Sequence, residues 1–293
     1  MKHHARVHGA LILVQLGFGA FPVAAKLVLG VVPPLALAVV RVLVATPALF
    51  LLARQIEGPV RPSRRDLGAL ALLGLLGVTL NQILFIVGLN WTTASTTAIL
   101  MPTIPVFAAG LAALSGVERI SPLRALGIAV SVGGALVVLD PARFAWADRS
   151  ALGDTLLLLN CLAYAGYLVL LRPVLRRLPP LTVTAWAFLF GGLGVAAVGS
   201  PALVGTPFGQ LPPMGWGALA FIVLWPTLLS YALNAWAVGR SSPSLAASYV
   251  CSQPAITALL AVPILGEGLS PRALVGFAAI SAGLLLVTRS RAA

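Results

Sequence analysis

The stretch GVERISPLRALG (116–127) returns almost unchanged later in the chain as GEGLSPRALVG (266–276). Both copies carry a glutamate, a Ser-Pro pair and a closing glycine in the same order. The same offset aligns Pro105 with Pro254, both inside apolar segments. Leucine and alanine match by chance in an apolar chain, whereas glutamate and Ser-Pro do so far less often. The repeated stretch therefore predicts a tandem duplication.

The composition indicates an integral membrane protein. Hydrophobic residues make up 59% of the 293 positions and charged residues 9%, and the mean hydropathy is +1.02. Soluble domains have about 45–50% apolar and about 25% charged residues. Apolar runs of about 20 residues favour helices, which satisfy their own backbone hydrogen bonds in lipid. We therefore expect an all-α integral membrane fold within a lipid bilayer.

Apolar runs between polar or Pro/Gly breaks predict ten transmembrane helices, in two halves at residues 1–142 and 150–293. The spans are 9–30, 35–53, 67–89, 93–115, 121–139, 152–171, 181–199, 214–238, 243–265 and 271–288. Each half holds five spans. Because five is odd, the second half enters the membrane from the opposite face, which predicts two inverted repeats. Such repeats are a recurring architecture of secondary transporters.

The basic residues predict the orientation of the chain. Lys26 and Arg41 lie inside spans, and Arg143, Arg149 and Arg272 lie at one set of alternate span ends. All other lysines and arginines lie at the opposite ends, which places both termini in the cytoplasm by the positive-inside rule. The net charge of +12 follows from these linkers, so we expect no nucleic-acid partner.

Residues needed for catalysis are missing from the predicted spans. His3, His4 and His8 all precede the first span, and no span has an acidic residue at its middle. The sequence also has no phosphate-binding loop of the form G-x-x-x-x-G-K-[ST]. We therefore expect no enzyme activity, no metal, no cofactor and no proton relay through a membrane carboxylate. An intramembrane enzyme is kept as a distant alternative.

The segments PTIPVFAAGLAALSGVERISPLRALGIAVSVGGALVVL and SQPAITALLAVPILGEGLSPRALVGFAAISAGLLLV resemble the EamA family of the drug/metabolite transporter superfamily. The resemblance covers nearly the whole chain. The family includes exporters of amino acids, other metabolites and drugs. It implies a central cavity between the halves, lined mainly by spans 1, 3, 4, 6, 8 and 9. Amino-acid exporters of the YddG type have tryptophan where the alignment puts Met101 and Tyr164.

Polar, aromatic and thioether side chains on those spans are the candidate substrate-binding residues. Aromatic faces attract an ammonium, amides can bond either end of a zwitterion, and a thioether adapts to several shapes. The candidates are Phe18, Asn81, Gln82, Met101, Tyr164, Tyr231, Asn234 and Gln253. Phe18 and Tyr164 are equivalent under the repeat, so we expect them to approach the cavity from opposite halves.

Charged residues near the spans are expected to be structural. A charge inside a span costs roughly 2.5–3.5 kcal/mol, so Arg41 should be paired or reach the outer headgroups, away from the cavity. Lys26 is expected to extend to the membrane surface. Glu118 and Glu267 each precede a Ser-Pro helix start, where the helix dipole favours an anion.

Prolines and small residues predict the shape and packing of the helices. Pro102, Pro105, Pro226 and Pro254 should kink their helices, and the carbonyls freed there either face a substrate ammonium or only accommodate packing. Span 5 has small residues at four-residue spacing, and span 10 continues the pattern. The residues are Gly127, Ser131 and Ala135 on span 5 and Ala279 and Gly283 on span 10. Their partner is either a helix of the same chain or a second protomer in a homodimer.

The sequence therefore predicts a secondary transporter or facilitator that exports small amphipathic metabolites by alternating access. Its small-molecule substrates are expected to be amino acids, and its location the inner membrane of a bacterium. A multidrug exporter is the alternative within transport.

Overall fold

A computed structural model describes residues 2–114, 121–139, 148–240 and 249–289, and across these residues it contains no β-strand. In chain order the α-helices are α1 (Lys2–Leu29), α2 (Pro34–Ile56), α3 (Arg64–Gly74), α4 (Asn81–Trp91), α5 (Ala94–Leu100), α6 (Thr103–Leu114), α7 (Pro122–Leu139), α8 (Arg149–Leu175), α9 (Pro180–Leu203), α10 (Pro213–Ile222), α11 (Ser230–Val238), α12 (Gln253–Leu265) and α13 (Pro271–Arg289). Two π-helical segments, π1 (Leu75–Leu80) and π2 (Val223–Leu229), join α3 to α4 and α10 to α11. A 3₁₀ turn covers Phe208–Gln210.

Seven of the described helical segments are long and apolar enough to cross a membrane. Three further apolar helices are shorter, at Ala125–Val138, Gln253–Leu265 and Pro271–Leu286. Each of these segments overlaps a predicted span. The protein is therefore an all-helical, multi-pass membrane protein, while the count of ten spans and their inversion stay predictions.

Apolar side chains cover both the interior and the outside of the helices. Leu37 and Leu49 on α2 are fully buried, whereas Leu51 on the same helix is 61% exposed. In a soluble protein such exposure would be unfavourable over a large area. In a bilayer it places leucine against lipid, so helix packing must come from close contact and hydrogen bonds.

Two glutamates cap helix starts in the opposite predicted half. The Glu57 carboxylate, just after α2, accepts hydrogen bonds from the backbone N–H groups of Leu181 (2.8 Å) and Thr182 (2.7 Å) at the start of α9. Helix starts leave their first N–H groups without partners, and an anion there is also favoured by the helix dipole. Glu57 therefore ties α2 to α9.

Glu267 has a different partner from the one expected. Its carboxylate accepts hydrogen bonds from the backbone N–H groups of Ala94 and Ser95, both at 2.8 Å, and so caps α5 and not the helix that follows it. The start of that next helix is capped by Ser270, whose hydroxyl accepts from the N–H of Ala273 at 3.1 Å. The structural role predicted for Glu267 thus acts across the molecule. The equivalent Glu118 lies outside the described residues.

The small residues of spans 5 and 10 pack against each other within one chain. Helices α7 and α13 approach closely, and the Ser131 hydroxyl donates to the carbonyl of Ile280 at 3.1 Å. A Cβ added to Gly134 would contact the backbone of Gly276 and Ile280 and the side chain of Ala279. Close helix packing is therefore confirmed, with a partner in the same chain.

We predict that Gly134→Ala lowers the Tm of the detergent-solubilised protein. The added methyl group must be accommodated against the α13 backbone, and overpacking of this kind costs about 1–3 kcal/mol. Gly133→Ala is the matched control, because a Cβ on this neighbouring glycine meets no atom within 4 Å. Equal Tm values for the two variants would contradict the α7–α13 contact.

Candidate functional site

A cavity of about 90 Å³ lies between helices that are far apart in the sequence. Such a volume holds several water molecules. All the predicted substrate-binding residues except Gln82 line it: Phe18, Asn81, Met101, Tyr164, Tyr231, Asn234 and Gln253. The lining also includes Gln15, Phe21, Arg41, Phe85, Ile104, Asn160, Leu168, Val238 and Val250. The geometry brings the candidates together, and their contact with a substrate stays a prediction.

Gln82 lies apart from this lining. It is 1% exposed, and neither atom of its side-chain amide has a hydrogen-bond partner among the described residues. One residue along an α-helix turns the side chain by about 100°, so Gln82 points away from the cavity that Asn81 faces. Its predicted role in substrate binding is therefore not supported by this cavity.

Hydrogen bonds between polar side chains join the helices around the cavity. The Gln253 Nε2 donates to Oε1 of Gln15 at 2.7 Å and links α12 to α1. Asn160 Nδ2 donates to the backbone carbonyl of Asn81 at 2.7 Å and links α8 to α4. The Tyr231 hydroxyl donates to Oδ1 of Asn81 at 3.4 Å. Asn81 is therefore the meeting point of three helices.

The π-helical segments set the position of two of these polar groups. π1 ends at Leu80, directly before Asn81, and π2 ends at Leu229, shortly before Tyr231. Leu80 and Leu229 are equivalent under the offset of the repeat. A π-helical turn contains an extra residue, which rotates the side chains that follow it, and such turns are frequent at functional sites.

Threonine hydroxyls donate hydrogen bonds to backbone carbonyls where the helices are interrupted. The Thr103 hydroxyl donates to the carbonyl of Leu100 at 2.7 Å, where α5 ends before Pro102. In π2 the Thr227 hydroxyl donates to the carbonyl of Ile222 at 2.7 Å. Both carbonyls therefore have a donor within the protein, so these two do not support the alternative that freed carbonyls face a substrate ammonium.

Aromatic rings form much of the cavity wall. Phe18 meets Tyr231 edge to face, with centroids 5.7 Å apart. Tyr164 stacks on Tyr167 at 5.4 Å, and Phe21 stacks on Phe85 at 5.1 Å. Rings held by neighbouring rings lose little further freedom when a ligand packs on them. The wall therefore offers a firm apolar surface beside the amides.

Arg41 lies in the cavity lining, so the expectation that it sits apart from the cavity is wrong. It is 3% exposed, its Nε donates to the Thr227 hydroxyl at 2.8 Å, and its guanidinium lies 4.2 Å from the centroid of the Phe21 ring. The expectation followed the resemblance, which places the second span outside the cavity. The sequence did contain a signal for this position. A charge inside a span is costly in lipid, so Arg41 is expected to find a polar partner, and the Thr227 hydroxyl is one.

The described lining carries binding groups of several kinds: amides, a phenol hydroxyl, a guanidinium, a thioether and aromatic rings. Among these lining residues there is no Asp, Glu, His, Ser or Cys, and the residues the structure describes contain no cluster of His, Cys, Asp and Glu able to hold a metal ion. The arrangement is suited to holding a small amphipathic molecule, because it offers both polar and apolar contacts.

Comparison with known proteins shows similarity along the whole chain. The model of the EamA-like transporter family matches residues 7–140 and again residues 151–289. A protein of Streptantibioticus cattleyicolor named as a probable terminal-alkyne amino-acid exporter is 30% identical over 253 residues, covering 85% of this chain and 82% of that protein. A WAT1-related protein of Arabidopsis thaliana is 26% identical, covering 95% of this chain and 80% of that protein.

Two other similarities are more general. An uncharacterised transporter of Archaeoglobus fulgidus is 26% identical, covering 90% of this chain and 91% of that protein. A solved crystal structure superposes with a TM-score of 0.65 at 17% identity, covering 97% of this chain and 96% of the other. At this identity the structural match shows a shared fold alone.

We predict that a cysteine at position 81 reacts with a small water-soluble thiol reagent at least about tenfold faster than a cysteine at position 82. Asn81→Cys faces the cavity and Gln82→Cys does not. The two rates are measured in detergent on a Cys251→Ser background, in which buried Cys161 serves as an internal unreactive thiol. Equal rates would contradict the assignment of the two side chains.

Proposed function

Because this chain belongs to the EamA-like transporter family, we propose that it is a secondary transporter that exports small amphipathic metabolites by alternating access. Amino acids are the first substrates to test. The proposed location is the inner membrane of a bacterium, with both termini in the cytoplasm. The observation that carries the proposal is the cavity, in which amides and aromatic rings from the two predicted halves surround a space inside a membrane protein.

The substrate class is supported by one relative and by the chemistry of the lining. The relative at 30% identity is named as an amino-acid exporter. The amides of Gln15, Asn81 and Gln253 can donate or accept hydrogen bonds and so suit both ends of a zwitterion. Phe18 and Met101 suit an apolar side chain of variable shape.

The alternating-access mechanism is supported by the internal similarity of the two halves. π1 and π2 fall at equivalent positions, and the capping carboxylates of Glu57 and Glu267 each reach into the other half. Two halves of nearly equal structure can adopt two states of nearly equal energy, open to opposite sides. In this mechanism substrate binds between the halves, and their rocking exposes it to the other face.

The proposed function is tested by counterflow of radiolabelled solutes in proteoliposomes that contain the purified protein. The panel holds apolar, aromatic and polar amino acids together with the cationic dyes used for multidrug exporters. Uptake of amino acids driven by unlabelled amino acid inside supports the proposal. Uptake of the dyes alone would support the multidrug alternative, and no uptake of any solute would contradict both.

We predict that Asn81→Ala and Tyr164→Ala each reduce this counterflow by about fivefold or more. Loss of one hydrogen bond weakens binding by about 1 kcal/mol, which is roughly fivefold. The Asn81 side chain also accepts from the Tyr231 hydroxyl, and Tyr164 forms part of the aromatic cavity wall. The control is Asn90→Ala, which removes the same amide from the other end of α4, outside the cavity lining. Thermal stability is measured on each variant. Normal counterflow in both cavity variants would show that substrate binds elsewhere.

A further inference from the structure

Arg41 places a positive charge in the wall of the cavity. An arginine stays protonated in proteins, and this one is 3% exposed, within α2. Within the described part of the chain no Asp or Glu forms an ion pair with it. Burial of an unpaired charge is unfavourable. The buried guanidinium therefore needs a negatively charged partner.

Three of the described carboxylates, those of Glu57, Glu267 and Asp66, have partners elsewhere in the protein. Glu57 caps α9, and Glu267 caps α5. Asp66 accepts from the Ser63 hydroxyl at 2.6 Å and pairs with Arg177 at 3.1 Å. Each of these groups stabilises a helix start, where its removal would leave N–H groups without acceptors. The counter-charge of Arg41 is therefore not supplied by these carboxylates.

The local geometry holds the guanidinium in one orientation. The Thr227 hydroxyl donates its hydrogen to the carbonyl of Ile222 at 2.7 Å, so its lone pairs are free to accept from Nε of Arg41 at 2.8 Å. The ring of Phe21 covers the guanidinium at 4.2 Å, and Phe85 supports that ring from its other side. The π-helical segment that contains Thr227 thus fixes the arginine.

This orientation leaves Nη1 and Nη2 of the guanidinium available to a ligand. A guanidinium has five N–H donors, of which Nε–H is used by Thr227. The four N–H bonds of Nη1 and Nη2 have no acceptor among the residues that the structure describes. Two parallel N–H donors in one plane match the two oxygens of a carboxylate, which is the arrangement that distinguishes arginine from lysine.

We propose that Arg41 binds the carboxylate of the transported molecule and so makes the cavity selective for carboxylate-bearing substrates over amides and organic cations. The inference rests on the proposed transport function and deepens it. The carboxylate supplies the missing negative charge, while the Asn81 and Gln15 oxygens can accept from an ammonium. A cation without a carboxylate meets an uncompensated positive charge in a confined space of low polarity.

The test compares ligands of one shape that differ in charge. Purified wild-type protein is titrated with 4-methylpentanoate, L-leucine, L-leucinamide and isopentylamine, and the shift in Tm gives the relative affinities. The same four compounds compete with L-leucine counterflow in proteoliposomes. We expect the two carboxylates to bind at least about tenfold more tightly than the amide and the amine.

Variants assign this preference to Arg41. Arg41→Gln removes the charge and should reduce the preference for L-leucine over L-leucinamide by about tenfold or more. Arg41→Lys keeps a charge without the fork and should retain a weaker preference. The control is Arg54→Gln, which removes an exposed arginine from the other end of α2 and should leave the preference unchanged.

Each outcome decides the matter. Equal binding of L-leucine and L-leucinamide by the wild type overturns the proposal, as does an unchanged preference in folded Arg41→Gln or no stabilisation by any carboxylate. If Arg41→Gln does not fold, the wild-type preference and Arg41→Lys still decide. Stabilisation by carboxylates without any counterflow would support the anion site while contradicting the proposed transport of amino acids.

Discussion

Lipid offers no hydrogen-bond partner to a helix start, a freed carbonyl or a polar side chain, and this constraint determines where polar groups lie in the protein. Glu57 and Glu267 satisfy the N–H groups at helix starts of the opposite half. Thr103 and Thr227 satisfy carbonyls where helices are interrupted. Gln15, Asn81 and Gln253 bring amide donors and acceptors to the cavity, whereas the buried amide of Gln82 lies outside it with no partner among the described residues. The cavity therefore gathers several of the polar groups that lipid cannot satisfy.

The interruptions that create this requirement also shape the cavity. A π-helical segment precedes Asn81 and another precedes Tyr231, and each turns the following residues toward the interior. The break before Pro102 brings Met101 to the same space. Regular helices would carry fewer freed carbonyls and would point these side chains elsewhere. The same sequence features therefore interrupt the α-helices and place side chains in the cavity.

The helices could be predicted from local composition, whereas the spans expected to line the cavity came from the resemblance to the EamA family. Apolar runs set the spans, and Phe18, Asn81 and Tyr231 are polar or aromatic residues on the spans that face inward. The position of Arg41 could not be obtained in this way, since it depends on Thr227, a residue far along the chain. The helix start that Glu267 caps was predicted wrongly for the same reason. The prediction chose the helix that follows Glu267 in sequence, whereas the carboxylate caps α5, which is close only in space. Neighbouring Gln82 shows the remaining limit, because a turn of one residue decides which amide faces the cavity.

The central claim is that the cavity around Asn81 and Arg41 is reached in turn from both sides of the membrane. The most direct measurement is the labelling of Met101→Cys, on a Cys251→Ser background, by a membrane-impermeant thiol reagent in right-side-out and in inverted vesicles. Labelling in both preparations, slowed in each by a transported carboxylate, is the predicted result. Labelling from one side alone, even with substrate present to drive turnover, would contradict alternating access.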